Sequence, residues 1–171
     1  APPWLAITGT NGKTTTTTML AAMLTAGGLR TAALGNIGEP LVDAQDPARY
    51  DVLAVELSSF QLHWSSRMAP AAGALLNLAE DHLEWHGTFE HYTSAKANIW
   101  RAARGGAGAG AAVGNLDDPL VAALLGQIDG AIGFTLGPPS PGNLGVADGM
   151  LVDADGTELI GADAIRPPGQ H

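Results

Sequence analysis

Several places in this sequence bring together residue types that can do chemistry in concert. The first is Gly9-Thr10-Asn11-Gly12-Lys13-Thr14. Glycines let a chain turn so that successive backbone N–H groups converge on phosphate oxygens, and a helix beginning near Lys13 would add its positive end to the same spot. Lys13 would then reach the β- and γ-phosphates of a nucleotide, with the Thr14 hydroxyl on Mg²⁺. The spacing departs from the common G-x-x-x-x-G-K-[ST] pattern, because Ile7 stands where that pattern has its first glycine. The bland alternative is a glycine turn joining a strand to a helix, with Lys13 in solvent. Against it, strand, turn, Lys-Thr and helix occur in the order a phosphate cradle requires. The threonines from Thr14 to Thr18 are also poor helix formers, which makes them a costly helix start unless hydroxyls are needed there.

Glu56 closes an apolar run from Val52 to Leu57. The carboxyl end of a buried strand is where open α/β sheets place their ligands. Mg²⁺ is held by one or two protein oxygens together with phosphates, so a carboxylate on the same sheet as Lys13 suits that metal. Alone, such a glutamate could equally be satisfied by a helix N-terminus or by solvent. Lys96 is anomalous for another reason. At about 100° per residue, Phe89, Tyr92, Ile99 and Trp100 fall on one helix face and Lys96 in the middle of it. Desolvation lowers an amine's pKa, and a neutral amine is nucleophilic enough to take up CO₂ and become a carbamate. Snorkelling, with the stem buried and the ammonium in water, is the other reading. His82 and His86 are spaced to share a helix face with Glu84 nearby, a possible zinc pair that lacks an obvious third ligand. His63, His86 and His91 otherwise read as surface or partly buried histidines. Asn36, between Gly35 and Gly38, reads by itself as a turn residue.

The elements that must position these groups alternate. Trp4 to Thr8 is a short apolar strand, Lys13 to about Ala26 a helix ended by Gly27-Gly28, and Thr31 to Leu34 and Val52 to Leu57 are further strands. Ala74 to Leu78 is another strand, Thr88 to Ala103 an amphipathic helix, Ala111 to Asn115 a strand, and Pro119 to Leu125 a helix. Such alternation predicts an α/β fold, a mostly parallel sheet flanked by helices. After Gly130 short strands at Ala131 to Thr135, Leu144 to Ala147, Met150 to Val152 and Thr157 to Ile160 are separated by Gly, Pro and Asp turns, which predicts a small antiparallel appendage. Arg104 to Gly110 is a Gly/Ala-rich connector, and Arg166-Pro167-Pro168-Gly169 reads as a linker.

The bulk numbers exclude several function classes. With 171 residues, 46% apolar and 15% charged, the chain fits one globular domain able to bury roughly two thirds of its unfolded surface. No cysteine is present, so disulfides, thiolate catalysis and Cys-based metal sites are out. A net charge of −9, with no basic stripe, argues against nucleic acid as a partner. No apolar run is long enough for a membrane span and no leader opens the chain, so a cytoplasmic protein is expected.

Thr8 to Thr15, T-G-T-N-G-K-T-T, after an apolar strand resembles the shortened P-loop of the Mur ligase and folylpolyglutamate synthetase superfamily. Members of that superfamily activate a carboxylate with ATP. The resemblance implies that Gly9, Thr10, Asn11, Gly12, Lys13, Thr14 and Thr15 bind the nucleotide. Glu56-Leu57-Ser58-Ser59-Phe60-Gln61-Leu62 resembles the E-L-S-S-F-Q-L of the D-glutamate-adding Mur ligases more than the matching segments of other branches, and Gly35-Asn36-Ile37-Gly38 fits the same branch. By that resemblance Asn36 contacts the muramoyl-alanine substrate, with Ser58 and Gln61 as further candidates. Asn77-Leu78-Ala79-Glu80-Asp81-His82 matches the family's N-x-x-x-D-H pattern, which puts His82 near a second Mg²⁺. Tyr92-Thr93-Ser94-Ala95-Lys96 is similar to the Y-x-x-A-K segment whose lysine is carbamylated in the family and helps position that metal. The implied metal ligands are therefore Thr14, Glu56, His82 and Lys96, and the implied catalytic residues Lys13, His82 and Lys96.

In the implied reaction ATP phosphorylates the carboxylate of UDP-N-acetylmuramoyl-L-alanine, and the amine of D-glutamate attacks the acyl phosphate to form an amide. Family members carry a UDP-binding domain before such a region and another α/β domain after it. Residues 1–171 then correspond to the central ATP-binding domain, expected to be inactive alone, and Pro168-Gly169-Gln170-His171 resembles the start of a segment that continues into adenine contacts. A folylpolyglutamate-type ligase domain and a non-catalytic nucleotide-binding module are the alternative readings.

Overall fold

A computed structural model describes residues 1–44, 46–104 and 110–165. Most of the Gly/Ala-rich connector, and the C-terminal segment from Arg166 onward, lie outside the described residues. Strands β1 (Trp4–Thr8), β2 (Ala33–Gly35), β3 (Leu53–Glu56), β4 (Ala72–Leu75), β5 (Ala111–Asn115) and β6 (Ile132–Phe134) form one parallel sheet in the order β2-β3-β1-β4-β5-β6. Helices α1 (Lys13–Ala26), α2 (Ser59–Trp64), α3 (Leu83–His86), α4 (Phe89–Ala97), α5 (Arg101–Arg104) and α6 (Pro119–Leu125) connect them. The final strands, β7 (Gly145–Ala147), β8 (Met150–Val152) and β9 (Glu158–Gly161), make a separate antiparallel sheet. The expected α/β class and its appendage are both present.

Three local expectations need correction. The segment Ala131 to Thr135 belongs to the parallel sheet, since β6 pairs with β5 through Val113 opposite Ile132 and Asn115 opposite Phe134. β4 ends at Leu75 rather than Leu78, which leaves Asn77 and Leu78 in the loop beyond the sheet edge. Its Ala-Gly-Ala centre carries little strand preference, so side-chain pattern alone misplaces it. The helix expected from Thr88 to Ala103 is interrupted by a 3-10 turn at Asn98–Trp100. There the Trp100 indole Nε1 turns inward to donate to the Gly73 carbonyl at 2.8 Å.

β1 lies between β3 and β4, with Ile7 beside Glu56 and Thr8 beside Leu75. The chain builds β2 and β3 to one side of β1 and β4 to β6 to the other, so the change of direction falls at the carboxyl end of β1. Open α/β sheets bind ligands at such a point. Leu34, Leu53, Val55, Leu75, Ile99 and Trp100 bury the sheet against its helices, each no more than 1% exposed.

Candidate active site

At the carboxyl end of β1 the chain passes through the glycine loop into α1. Gly12 caps the helix at φ 81°, ψ −8°, a left-handed geometry that glycine adopts without a Cβ penalty. The helix has neither a side-chain cap nor an acidic residue of its own in its first turn, and the positive end of its 14 residues faces the loop. Asn77 fixes the loop from the β4 side. Its Oδ1 accepts from the Asn11 N–H at 2.8 Å and its Nδ2 donates to the Asn11 carbonyl at 3.1 Å, while the Thr10 N–H donates to the Asn77 carbonyl at 3.0 Å. Thr10 Oγ1 also meets Tyr92 Oη at 2.9 Å. Lys13 is not left in solvent: its Nζ folds over the loop and donates to the carbonyls of Gly9 at 3.0 Å and Thr10 at 2.9 Å.

Glu56 is 2% exposed, and a buried carboxylate demands partners. Oε2 accepts from Thr14 Oγ1 at 2.7 Å and Oε1 from Asn36 Nδ2 at 2.8 Å. A buried carboxylate beside a threonine hydroxyl, next to a helix N-terminus and a lysine, is a donor set that fits Mg²⁺ completed by phosphate oxygens. Mg²⁺ bound there would neutralise phosphate charge, and Glu56 and Thr14 would hold it.

Lys96 is 2% exposed, which settles the periodicity question against snorkelling. Its Nζ donates to the Gly9 carbonyl at 2.8 Å, lies 3.5 Å from Thr8 Oγ1, and sits 4.8 Å from the centre of the Tyr92 ring. Burial, helped by the nearby Lys13 charge, lowers this amine from its ordinary 10.5 to about 7, and Asp81 and Glu56 only partly oppose the change.

His82 caps α3 in the left-handed region at φ 52°, a strained conformation for a residue with a side chain. Its ring is half exposed, 3.5 Å from Asp81 Oδ2 and 3.7 Å from Glu84 Oε1. His86 turns the other way. It is 6% exposed, with Nε2 3.0 Å from Ser59 Oγ and its ring stacked on Phe60. Burial, then the neighbouring His63, hold its pKa below the ordinary imidazole value. The two rings therefore do not form the zinc pair that their spacing allows, and among the described residues no group of three or more His, Asp or Glu side chains could hold a metal.

A cavity of about 140 Å³ gathers Lys13, Asn36, Ser58, Asp81, His82 and Lys96 on its walls. Gln61 is not among its lining residues. Ser58 and Gln61 form the capping box of α2, the Ser58 Oγ accepting from the Gln61 N–H at 3.2 Å and the Ser58 N–H donating to Gln61 Oε1 at 2.8 Å. Sequence reasoning left Asn77 and Tyr92 without roles, although both stand inside quoted motifs. It also missed a cavity of about 850 Å³ between Asn77, Asn115 and Asp118 on one side and Leu144, Val146 and Leu151 on the other. That larger space shares Asn77 with the loop, but Lys13, Glu56, His82 and Lys96 are not among its lining residues.

Residues 7–136 match the family model described as the Mur ligase middle domain. The chain belongs to the Mur ligase family. The UDP-N-acetylmuramoylalanine–D-glutamate ligase of Mycolicibacterium vanbaalenii is 55% identical, over 98% of this chain and 34% of that protein. Among solved Mur ligase structures, a UDP-N-acetylmuramoyl-L-alanyl-D-glutamate–2,6-diaminopimelate ligase superposes with a TM-score of 0.69 at 24% identity, over 86% of this chain and 34% of the other. The MurF ligase of Thermotoga maritima, solved in complex with ADP, gives a TM-score of 0.64 at 21% identity, over 94% of this chain and 41% of that one. At those identities the likeness to solved Mur ligases is one of fold. The chain spans 34% of the length of the first of these relatives.

Proposed function

We propose that this chain is the ATP-binding central domain of a cytoplasmic peptidoglycan-precursor ligase that joins D-glutamate to UDP-N-acetylmuramoyl-L-alanine. The observation that carries the reading is the convergence of Lys13, the Glu56–Thr14 pair and buried Lys96 around the loop at the carboxyl end of β1. Its support from relatives is the 55% identity to a ligase named for D-glutamate addition. ATP is the phosphoryl donor in this reading. Lys13 swings from the carbonyls of Gly9 and Thr10 to the β- and γ-phosphates, and the N-terminal amides of α1 complete the anion seat. Glu56 and Thr14 hold one Mg²⁺. His82 and Lys96 both line the small cavity with Lys13, and together they would hold a second Mg²⁺, with Lys96 as the carbamate. An amine near 7 has the free lone pair that CO₂ uptake needs at neutral pH.

The UDP anchor and the D-glutamate site then lie on domains outside this chain. The test is calorimetric titration of the chain with ATP and Mg²⁺, followed by product analysis with the complete substrate set. Magnesium-dependent ATP binding without amide product from residues 1–171 is the expected result. Absence of ATP binding by the folded chain would overturn the reading, and amide formation by it would overturn the division of labour between domains. Product with a folate acceptor in the longer protein would assign it to the folylpolyglutamate branch instead.

A further inference from the structure

The resemblance sends Asn36 to the acceptor substrate, whereas its carboxamide is engaged with Glu56. The turn itself does not need that contact. The Asn36 backbone N–H already donates to the Glu56 carbonyl at 2.9 Å. Before it, Gly35 sits at φ 104°, so close to β3 that a Cβ there would lie 2.4 Å from the same carbonyl oxygen. The backbone thus clamps the end of β2 onto the end of β3. The side-chain bond, Nδ2 to Oε1 at 2.8 Å, is additional, and it reaches from an exposed residue to a carboxylate that is 2% exposed.

Its effect is to choose which oxygen a cation meets. With Oε1 occupied by Asn36, only Oε2 remains on the side of Thr14 Oγ1, whose hydroxyl proton rotates away when a metal arrives. A primary carboxamide also has two N–H donors. One holds Glu56, and because Asn36 also lines the cavity shared with Lys13, Ser58 and His82, the other is available to a carbonyl or carboxylate oxygen of an acceptor there.

We propose that Asn36 is a positioning residue that fixes the Glu56 carboxylate for Mg²⁺ and joins the metal position to the acceptor cavity through its two amide hydrogens. This rests on the reading of Glu56 and Thr14 as the protein oxygens of the metal.

The experiment is calorimetry of ADP binding to this chain with and without Mg²⁺, for wild type, Asn36→Ala, Glu56→Gln and the double variant, with thermal melts as the folding control. The readout is the ratio of the two affinities. Asn36→Ala should cut the Mg²⁺ enhancement by about ten- to a hundredfold, the scale of a lost hydrogen bond to a charged group, while metal-free affinity stays within about twofold. In the Glu56→Gln background, where no carboxylate is left to position, Asn36→Ala should add nothing further. An unchanged ratio overturns the proposal. So does an equal loss with and without metal, or a failure of both Asn36→Ala and Asn36→Ser to fold, since either marks a purely structural residue. If wild type itself shows no Mg²⁺ enhancement, the metal reading of Glu56 falls first, and that is visible before any variant is made.

Discussion

The part of the molecule from β1 to α5 and the part from β5 onward are built on different terms. Among the described residues every buried polar or charged side chain, Thr8, Thr17, Glu56, Ser59, His86 and Lys96, belongs to the first. In the second the buried side chains are apolar: Ala112, Val121, Leu125, Ile128 and Val152. Burying polar groups is unfavourable unless each finds a partner, and the first region supplies them. Thr8 Oγ1 donates to the Leu57 carbonyl at 2.8 Å, Thr17 Oγ1 to the Lys13 carbonyl at 2.8 Å, and Lys96 to Gly9. His86 Nδ1 is left without one. A sheet of this size could be packed with apolar groups throughout, as its second half is. The polar interior is concentrated where β1, β3 and β4 end, and that placement marks the chemistry.

Lys13→Ala should break the first region's function most. One cation facing two phosphates is worth about ten- to a hundredfold in affinity, so ATP binding by calorimetry should weaken by that factor. The melting temperature should hardly move, because among the described residues Lys13 Nζ bonds only carbonyls of its own loop. Asp155→Ala, a charge change in the second region, should leave ATP affinity unchanged. Equal effects of the two would erase the distinction between the regions.

Lys96→Met separates function from stability in the same place. The folded amine titrates near 7 against 10.5 for an ordinary lysine. Between those values the unfolded chain holds a proton that the folded chain does not, so wild-type stability should rise with pH across that window. Methionine removes the buried amine and leaves the Gly9 carbonyl its bond from Lys13. The variant should therefore be more stable at pH 7, by about 1–2 kcal/mol on the scale of apolar replacements for buried charges, and its stability should be flat over the same range. Denaturant melts from pH 6.5 to 9.5 check both. An identical slope in the two proteins would mean that Lys96 does not titrate in the folded state as its burial implies.

The sequence made some of this legible and hid the rest for physical reasons. α1, β5 and α6 fall where expected because their ends are punctuated: Gly12 and Gly27 bracket α1, and Asp118 caps α6 through the N–H groups of Leu120 and Val121 ahead of Gly126. Helical period puts Lys96 among Tyr92, Ile99 and Trp100 but leaves burial and snorkelling both open, and it is the packing that buries the amine. The box formed by Ser58 and Gln61 is a local S-x-x-Q helix-start signal that went unread, because both residues were expected at the substrate and no helix was expected at Ser59–Trp64. Asn36 with Glu56, and Asn77 with Asn11, were not legible. These partners meet only because the strand order interleaves β2, β3, β1 and β4, and no periodicity reports strand order.

His86 gives a smaller, acid-side effect. Its folded pKa is held below the ordinary 6.5 by burial and then by His63, His82 and Lys96, with Glu84 opposing. The folded chain then binds fewer protons than the unfolded one as pH falls through 6.5, so stability present above that value is lost toward acid. His86→Phe keeps a ring against Phe60 and cannot titrate. It should flatten the melt between pH 7 and 5, at a cost of about 1 kcal/mol for the lost Ser59 bond. A variant as acid-sensitive as wild type would place the titrating group elsewhere in the first region.

The smallest effect is expected at the far edge of the molecule, and it compares the regions at constant chemistry. Among the described residues β9 pairs only with β8, and it shows Leu159 and Ile160 to solvent at 59% and 47% exposure. Ile160→Thr keeps the branched Cβ that suits a strand and removes an apolar group that is already half in water. Its cost should stay below about 0.5 kcal/mol. The same change at Ile99, 1% exposed and packed on Gly73, deletes a buried methyl and strands a hydroxyl, so it should cost about 2–4 kcal/mol. Denaturant midpoints of the two variants measure the difference. If Ile160→Thr proves as damaging as Ile99→Thr, the outer face of β9 is covered in solution, and a melting temperature that rises with protein concentration in wild type but not in the variant would identify a second copy of the chain as the cover.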